Sequence, residues 1–306
     1  MRTNGKIKST GKELTPSERQ PKLAAALGIS ELYFKREDLH PYGSHKGRSI
    51  PVMIELYRET GTHDFAISSS GNAALAAALY VRECNARNRD GIDKPISLDI
   101  YVGNHIAPHK LEKLKVLEDE RIRVLKRERP LQALGQAIEE GRTSLRQSTD
   151  DLALAGYEPL AEELAAIKRI GAVFMGASSG TTAQALSAYF LENKLPIQMH
   201  IVQTSSCHPL ADAFDNYESL EDRSLADAIV DRTALRKNAL TPLIRESGGR
   251  GWCASNEDIE TALELAKKNT STKVSPNSAL SIAGAMQAAY TGYEIKGAVV
   301  CLICGE

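Results

Sequence analysis

Short apolar runs rich in β-branched and aromatic residues alternate along the chain with longer segments of helical periodicity. The runs predict β-strands at ELYFKRE, DFAIS, SLDIYVG, RIRVLK, AVFMG, QMHIVQT and AVVCLIC. In the segments between them, Leu160, Leu164 and Ile167 recur at the i, i+4, i+7 spacing of one helix face. Strands that alternate with helices favour parallel sheets covered by helices.

The strand, helix and strand SLDIYVG, KLEKLKVLED and RIRVLK form a compact unit, which we interpret as the middle of a smaller domain. The predicted fold is α/β, with two open, mainly parallel twisted sheets covered by helices. Residues 1–60 and 155–306 are predicted to form a large ligand-binding domain, and residues 61–154 a smaller mobile domain that closes over it. RIRVLKRER alternates apolar and basic residues, which predicts an edge or half-exposed strand rather than a nucleic-acid site.

The charge balance is close to neutral, since 38 lysines and arginines stand against 39 acidic residues in a chain of 306. A net charge of −1 provides no general field that would gather nucleic acid or anionic lipid, so we expect neither as a partner. The five cysteines are scattered and odd in number, which favours a reducing cytoplasm. The opening residues MRTNGKIKSTGKELTPSER lack the apolar core of a signal peptide and predict a polar arm.

The first loop whose residues could take part in catalysis or binding is GSHKGR, which follows the strand ELYFKRE and precedes an apolar helical pattern. Because proline is disfavoured deep in a helix, we predict a helix start near Ser49 with Pro51 in its first turn, which leaves Lys46 on the preceding loop. The small neighbours of Lys46 let a ligand come close to its amine, which could act as a nucleophile. A surface lysine in a turn is the alternative.

The second loop is SSSGNAALAAAL, where a strand end is followed by a turn of small residues and an alanine-rich helix. A helix start of this type presents unpaired N–H groups and a positive dipole end, which can bind a carboxylate or phosphate. Asn72 adds an amide that can bond a ring hydroxyl. The alternative is that Ser70 or Asn72 only caps the helix.

The third loop, GASSGTTAQAL, follows the apolar strand AVFM and places hydroxyl side chains at a helix N-terminus, which suits a phosphate monoester. GASSG also matches the G-x-S-x-G pattern of hydrolases, in which Ser178 would be the nucleophile. In such hydrolases an acid and then a histidine follow the serine, but His200 and His208 both precede Asp212, and Glu192, the one acid between Ser178 and these histidines, lies too close in sequence to suit that fold. A serine hydrolase is therefore a distant alternative.

Together the three loops resemble pyridoxal-phosphate enzymes of the tryptophan synthase β-like group (fold type II), which includes threonine synthase, the threonine and serine dehydratases and cysteine synthase. The similarity extends from about Thr15 to Glu306. KREDLHPYGSHKGR resembles the cofactor-lysine segment, which implies that Lys46 forms the Schiff base. SSSGN resembles the loop that binds the substrate carboxylate, with Asn72 beside the phenolic oxygen of the cofactor. GASSGTT resembles the phosphate cradle, and Cys304 occupies the position beside the pyridine nitrogen.

The resemblance implies two sets of site residues. The cofactor-binding set is Lys46, Asn72, Gly176, Ala177, Ser178, Ser179, Gly180, Thr181 and Cys304. The substrate-binding set is Ser68, Ser69, Ser70, Gly71 and Asn72. The sequence departs from the family pattern at Gly47, where aspartate is usual, and at Ser179 and Thr182, where glycines are frequent.

The implied cofactor is pyridoxal 5'-phosphate, and the implied activity is that of a lyase or synthase that works on an amino acid by β- or γ-elimination or replacement. SSSGNAALAAALYV is closest to threonine synthases, with a serine/threonine dehydratase as the alternative and a catalytically inactive cofactor-binding protein as another. A threonine synthase needs cations for the phosphate of its substrate, for which Lys110, Lys113 and Arg48 are candidates. Relatives commonly dimerise, so a homodimer is expected.

Two further patterns are interpreted as structural. Cys301 and Cys304 form a C-x-x-C pair, but within a strand this spacing places the two side chains on opposite faces, so we predict two buried cysteines. His105 and His109 have helical spacing for a metal, but Pro108 lies between them and no third ligand is near in sequence. A surface loop without a metal is expected there.

Overall fold

The computed structural model describes residues 14–88 and 94–305. Its strands are β1 Ser17–Arg19, β2 Leu32–Arg36, β3 Asp64–Ser68, β4 Ser97–Gly103, β5 Ile122–Arg127, β6 Thr143–Ser144, β7 Ile170–Gly176, β8 Gln198–Thr204, β9 Gly251–Ala254 and β10 Ala298–Ile303. Its helices are α1 Pro21–Leu27, α2 Lys46–Glu59, α3 Asn72–Arg87, α4 Pro108–Lys115, α5 Pro130–Glu139, α6 Leu152–Ala155, α7 Glu158–Ala165, α8 Thr181–Glu192, α9 Lys237–Glu246, α10 Asn256–Asn269 and α11 Pro276–Tyr290. Short 3₁₀ turns cover Glu37–Leu39, Gln147–Thr149 and Ala211–Ala213.

The strands form two sheets. A six-stranded sheet has the order β1-β2-β10-β7-β8-β9, and a four-stranded sheet has the order β5-β4-β3-β6. Every pair of named strands is parallel except the antiparallel pair of β1 with β2. The predicted α/β fold with two mainly parallel sheets is confirmed. The predicted domain boundaries near residues 60 and 155 stay predictions.

Helices cover both faces of the six-stranded sheet. Leu280 and Ile282 of α11 pack on one face with Phe174 and Cys301, whereas Leu186 of α8 packs on the other face. Cys304 belongs to the cluster on that second face, and both cysteines are buried. The predicted placement of the C-x-x-C pair on opposite faces is therefore confirmed.

The four-stranded sheet is covered in the same way. Ile50 and Met53 of α2 pack against Phe65 on one face, and Leu134 of α5 packs on the other. Strand β5 lies at the edge of this sheet, as RIRVLKRER predicted, with its basic side chains turned outward. One of them, Arg123, is bidentate to the buried carboxylate of Asp99 at 2.6 Å for each bond.

Some strands were not predicted from the sequence because they are too short to show a hydrophobic period. Strands β1, β6 and β9 have three, two and four residues. Strand β1 lies within the segment predicted as a polar arm, of which residues 1–13 lie outside the described residues. Helix α7 ends at Ala165, so Ile167 of the predicted apolar face lies just beyond it.

Candidate active site

One cavity of about 600 Å³ lies where the carboxyl ends of parallel strands from both sheets meet. Strands β3, β7 and β10 lead into three of its walls, and α2 begins at a fourth. The residues predicted for the site that line this cavity are Lys46, Ser68, Ser69, Ser70, Gly71, Asn72, Gly176, Ala177, Ser178, Ser179, Gly180, Thr181 and Cys304. The tertiary structure therefore brings all of these candidates to one place.

Lys46 is the first residue of α2 rather than part of the preceding loop. The predicted helix start near Ser49 was wrong, and Pro51 lies inside the helix. The N–H of Lys46 bonds to Ser44 Oγ at 3.2 Å, which helps to set the helix start three residues earlier. Lys46 itself is half-buried, and its amino group makes no hydrogen bond or ion pair within residues 14–88 and 94–305. It is therefore available to a ligand.

A buried ionic cluster holds the first turn of α2. Arg48 bonds to Glu37 through Nε at 3.0 Å and Nη2 at 2.8 Å, and to Glu163 through Nη1 at 2.6 Å. Lys35 Nζ lies 2.5 Å from the same Glu163 carboxylate. Arg48 is fully buried and its charge is matched, so the suggestion that it binds a substrate phosphate was wrong. Its position anchors the helix that begins at Lys46.

Gly47 has a steric reason for departing from the family pattern. A Cβ at this position would lie 2.3 Å from His40 Nδ1 and 2.8 Å from Tyr42 Cβ. The neighbouring His45 ring is buried, and its Nδ1 lies 3.4 Å from the carbonyl oxygen of Cys304. Burial lowers the pKa of His45 well below its ordinary value, so the ring is neutral beside Lys46.

The SSSGN loop places a free helix N-terminus on the cavity wall. Helix α3 starts at Asn72 after Gly71, and no side chain caps it, so the capping alternative for Ser70 or Asn72 is wrong. Among the described residues, the amides of Asn72, Ala73 and Ala74 have no acceptor. The Asn72 side chain also has no partner there. These donors can hold a carboxylate.

The GASSG loop forms a denser cradle at the start of α8. Within the described part of the chain, the amide N–H groups of residues 178–183 have no protein acceptor. Gly180, directly before α8, has a φ of 82°, in the left-handed region that favours glycine. The Ser178 hydroxyl accepts the N–H groups of Val230 and Asp231 at 3.2 Å, which leaves its own hydrogen free to donate. The cradle suits a phosphate.

The Ser178 hydrolase alternative gains no support from this geometry. His200 accepts the indole N–H of Trp252, while His208 pairs with Asp212 and Ser219. No histidine among the described residues bonds to Ser178.

Cys304 lies immediately after β10, and its N–H bonds to Ser278 Oγ at 3.0 Å. Burial raises the pKa of the Cys304 thiol to about 12, so the group is neutral at ordinary pH. A ring nitrogen placed beside it would meet a neutral thiol rather than a carboxylate.

The remaining cations suggested for the substrate phosphate are differently placed. Lys110 lines the cavity but is bonded to Asp227 at 2.6 Å, and Lys113 lines a neighbouring cleft instead. Sequence analysis missed Arg146, which lines the cavity just after β6. Its position beyond a strand of only two residues was the available signal, and it was too weak to use.

The two histidines considered for a metal are separated by the start of a helix. His105 lies in a turn, while His109 is in α4. Across residues 14–88 and 94–305, no group of three His, Cys, Asp or Glu side chains could hold a metal ion. No helix in that part of the chain is both long and apolar enough to cross a membrane.

Comparison with known proteins identifies the family. The family model described as pyridoxal-phosphate dependent enzyme matches residues 8–305. The chain belongs to this family. Pyridoxal 5'-phosphate is therefore its cofactor, and the fold resemblance inferred from the three loops is confirmed.

Individual proteins similar to this chain are threonine synthases and a threonine deaminase, at modest sequence identity. A threonine synthase of Methanocaldococcus jannaschii is 24% identical over 326 aligned positions, which span 100% of this chain and 77% of that enzyme. A threonine synthase of Methanosarcina acetivorans is 38% identical over 66 residues, which span 22% of this chain but only 16% of that enzyme. A threonine deaminase isoform from Solanum lycopersicum superposes with a TM-score of 0.77 at 19% identity, covering 96% of this chain and 84% of that one.

The site residues fit the cofactor. The free amides of residues 178–183 provide the donors that a phosphate monoester needs. A Cβ at Gly180 would lie 2.6 Å from Leu240 Cδ2, so glycine keeps this turn of the cradle in place. Lys46, Asn72 and Cys304 line the same cavity, where a pyridine ring held by its phosphate would meet them.

Proposed function

We propose that the protein acts on an amino acid by β- or γ-elimination or replacement, as a lyase or synthase of the threonine synthase type. The observation that carries this proposal is the convergence in one cavity of the Lys46 amine, the uncapped start of α3 and the cradle at α8. The full-length similarity to a threonine synthase supports the same class.

Pyridoxal phosphate supplies an electron sink for the substrate Cα when bound. The Lys46 amine, which has no competing ion pair among the described residues, removes and returns the proton at Cα. The free amides of α3 hold the α-carboxylate, and Asn72 orients the ring oxygen. The neutral thiol of Cys304 does not hold a proton on the ring nitrogen as a carboxylate would, which favours elimination over transamination.

Substitution of Lys46 tests the assignment of the central residue. We expect purified protein to show the visible absorption band of lysine-bound pyridoxal phosphate, and Lys46→Ala to lose it. Lys168→Ala, which removes a lysine from the exposed surface, is the matched control and should keep the band. A band that persists in Lys46→Ala would contradict the role of this lysine.

The reaction type is tested with a small substrate panel. O-phosphohomoserine should release inorganic phosphate and yield threonine if the threonine synthase assignment is right. Formation of a 2-oxo acid from serine or threonine would instead show the dehydratase alternative. Bound cofactor without any of these products would show the binding-only alternative.

A further inference from the structure

Arg146 presents a guanidinium to the cavity without a counter-ion. The residue is half-buried and lines the same space as Lys46 and the two anion-binding loops. Its side chain makes no hydrogen bond or ion pair with any residue in the described ranges. The buried arginines nearby differ, since Arg48 is bonded to Glu37 and Glu163 and Arg236 to Asp151.

Neither acidic side chain that lines the cavity, Asp227 or Asp231, bonds to Arg146. Asp227 accepts Lys110 Nζ at 2.6 Å and the Asn277 amide at 3.2 Å. Asp231 accepts the N–H of Thr233 at 3.2 Å. A guanidinium that is partly withdrawn from water and lacks an anion is unfavourable unless a ligand provides one. The arrangement therefore points to an anionic ligand group.

The backbone around Arg146 is fixed between the two anion-binding loops. The N–H of Leu145 bonds to Ala66 O of β3 at 2.9 Å, next to the strand end that carries SSSGN. The carbonyl of Gln147 accepts Thr181 Oγ1 of the cradle at 3.3 Å and Arg236 Nη2 at 2.7 Å. Arg146 thus sits on a segment held from both sides, while the free amides of α3 and α8 already provide for the α-carboxylate and the cofactor phosphate.

We propose that Arg146 is a specificity-determining residue that binds an oxyanion at the far end of the substrate side chain. The preferred substrates are then amino acids whose side chain ends in a phosphate ester or a carboxylate, rather than neutral hydroxy amino acids. The planar fork of arginine suits both oxyanions. This inference rests on the proposed function, because it assumes an amino-acid substrate in the cavity.

The experiment titrates the cofactor-loaded protein and follows the spectral shift of the bound cofactor. The matched ligand pairs are O-phosphohomoserine with homoserine, and glutamate with glutamine, so that phosphate and carboxylate are tested separately. We expect at least one anionic member to bind more tightly than its neutral partner. Arg146→Gln should weaken binding of that anionic member by about 10- to 100-fold and leave the neutral member unchanged.

Two variants control for charge. Arg121→Gln removes the same charge from the exposed surface and should leave all dissociation constants unchanged. Arg232, a second arginine that lines the cavity, is exposed to solvent. Arg232→Gln should therefore reduce the preference for the anionic ligand over its neutral partner less than Arg146→Gln does. If Arg232→Gln abolished the preference for the anionic ligand and Arg146→Gln did not, Arg232 rather than Arg146 would bind the anionic group, and the proposal would be overturned.

The remaining outcomes separate this inference from the proposed function. If Arg146→Gln weakens pyridoxal phosphate itself, the guanidinium holds the cofactor and the inference fails. If the wild-type protein binds cofactor but prefers neutral amino acids, the inference fails while the proposed function stands. If amino acids cause no spectral shift at all in the loaded protein, the proposed function fails with it.

Discussion

Two walls of the cavity, one from each sheet, are built in opposite ways. On the wall of the six-stranded sheet, a Cβ at Gly180 would lie 2.6 Å from Leu240, and a Cβ at Gly176 would lie 3.0 Å from the carbonyl oxygen of Asn277. On the wall of the four-stranded sheet, a Cβ at Gly71 would meet no atom within 4 Å, and Ser70 is exposed.

The difference matches what each wall has to bind. The cofactor phosphate is the same in every turnover, so a tightly packed cradle can hold it without rearrangement. The substrate must enter and leave, and the open SSSGN loop leaves room for that movement. The two arginines differ in a related way, because Arg48 is buried behind the cavity lining and paired with Glu37 and Glu163, whereas Arg146 lines the cavity with no partner among the described residues.

The largest expected effect comes from the ionic cluster behind the first wall. Glu163→Gln keeps the side-chain volume but removes the charge that faces Arg48 and Lys35. We expect the free energy of unfolding at pH 7 to fall by about 3–5 kcal/mol, because two buried cations lose a shared anion. Chemical denaturation measures this, with the exposed Glu162→Gln on the same helix as the control.

The same cluster predicts that the protein loses stability at acid pH. Burial acts to raise the pKa of Glu163, but hydrogen bonds from Arg48 and Lys35 outweigh it and hold the pKa below the ordinary 4.5. A carboxylate with a lowered folded-state pKa stabilises the fold above its unfolded-state pKa, and this contribution is lost as pH falls through the folded value. The free energy of unfolding of the wild type should therefore fall more steeply below about pH 4.5 than that of Glu163→Gln. Parallel curves of unfolding free energy against pH for the two proteins would contradict the role of Glu163.

A pair of glycine variants compares the walls directly. Gly180→Ala places a side chain at a φ of 82° and against Leu240, so we expect a loss of about 1–3 kcal/mol in unfolding free energy and weaker binding of pyridoxal phosphate. Gly71→Ala, at a φ of −125° with open space around it, should change the unfolding free energy by less than about 0.5 kcal/mol. Equal losses in the two variants would remove the contrast between the walls.

The smallest effect is expected at an ion pair that joins the walls. Lys110 on α4 bonds to Asp227 at 2.6 Å, and Asp227 is about half exposed. Such a pair contributes about 1 kcal/mol or less, so Lys110→Ala should speed cofactor release by up to about fivefold in a stopped-flow experiment. Lys115→Ala, which breaks a pair with Glu118 at the C-terminal end of the same helix, should leave that rate unchanged.

Much of the fold could be predicted because its strands are long and apolar. DFAIS, SLDIYVG and QMHIVQT correspond residue for residue to β3, β4 and β8. The start of α2 could not be predicted, because the ionic cluster of Arg48 with Glu37 and Glu163 assembles residues that lie up to 126 positions apart, from Glu37 to Glu163. The preference of proline for a first turn was overridden by these tertiary contacts.

The sequence by itself determined the α/β class and the three loops that line the cavity, because strand runs and small-residue turns are local patterns that side-chain chemistry sets along the chain. Only the tertiary structure decided which charges are matched and which face the ligand. Arg48 and Arg146 are both arginines close to predicted loops, yet the first is enclosed by Glu37 and Glu163 while the side chain of the second lines the cavity with no partner among the described residues. The reason is that a charge finds its partner through packing of distant segments, which no local pattern contains.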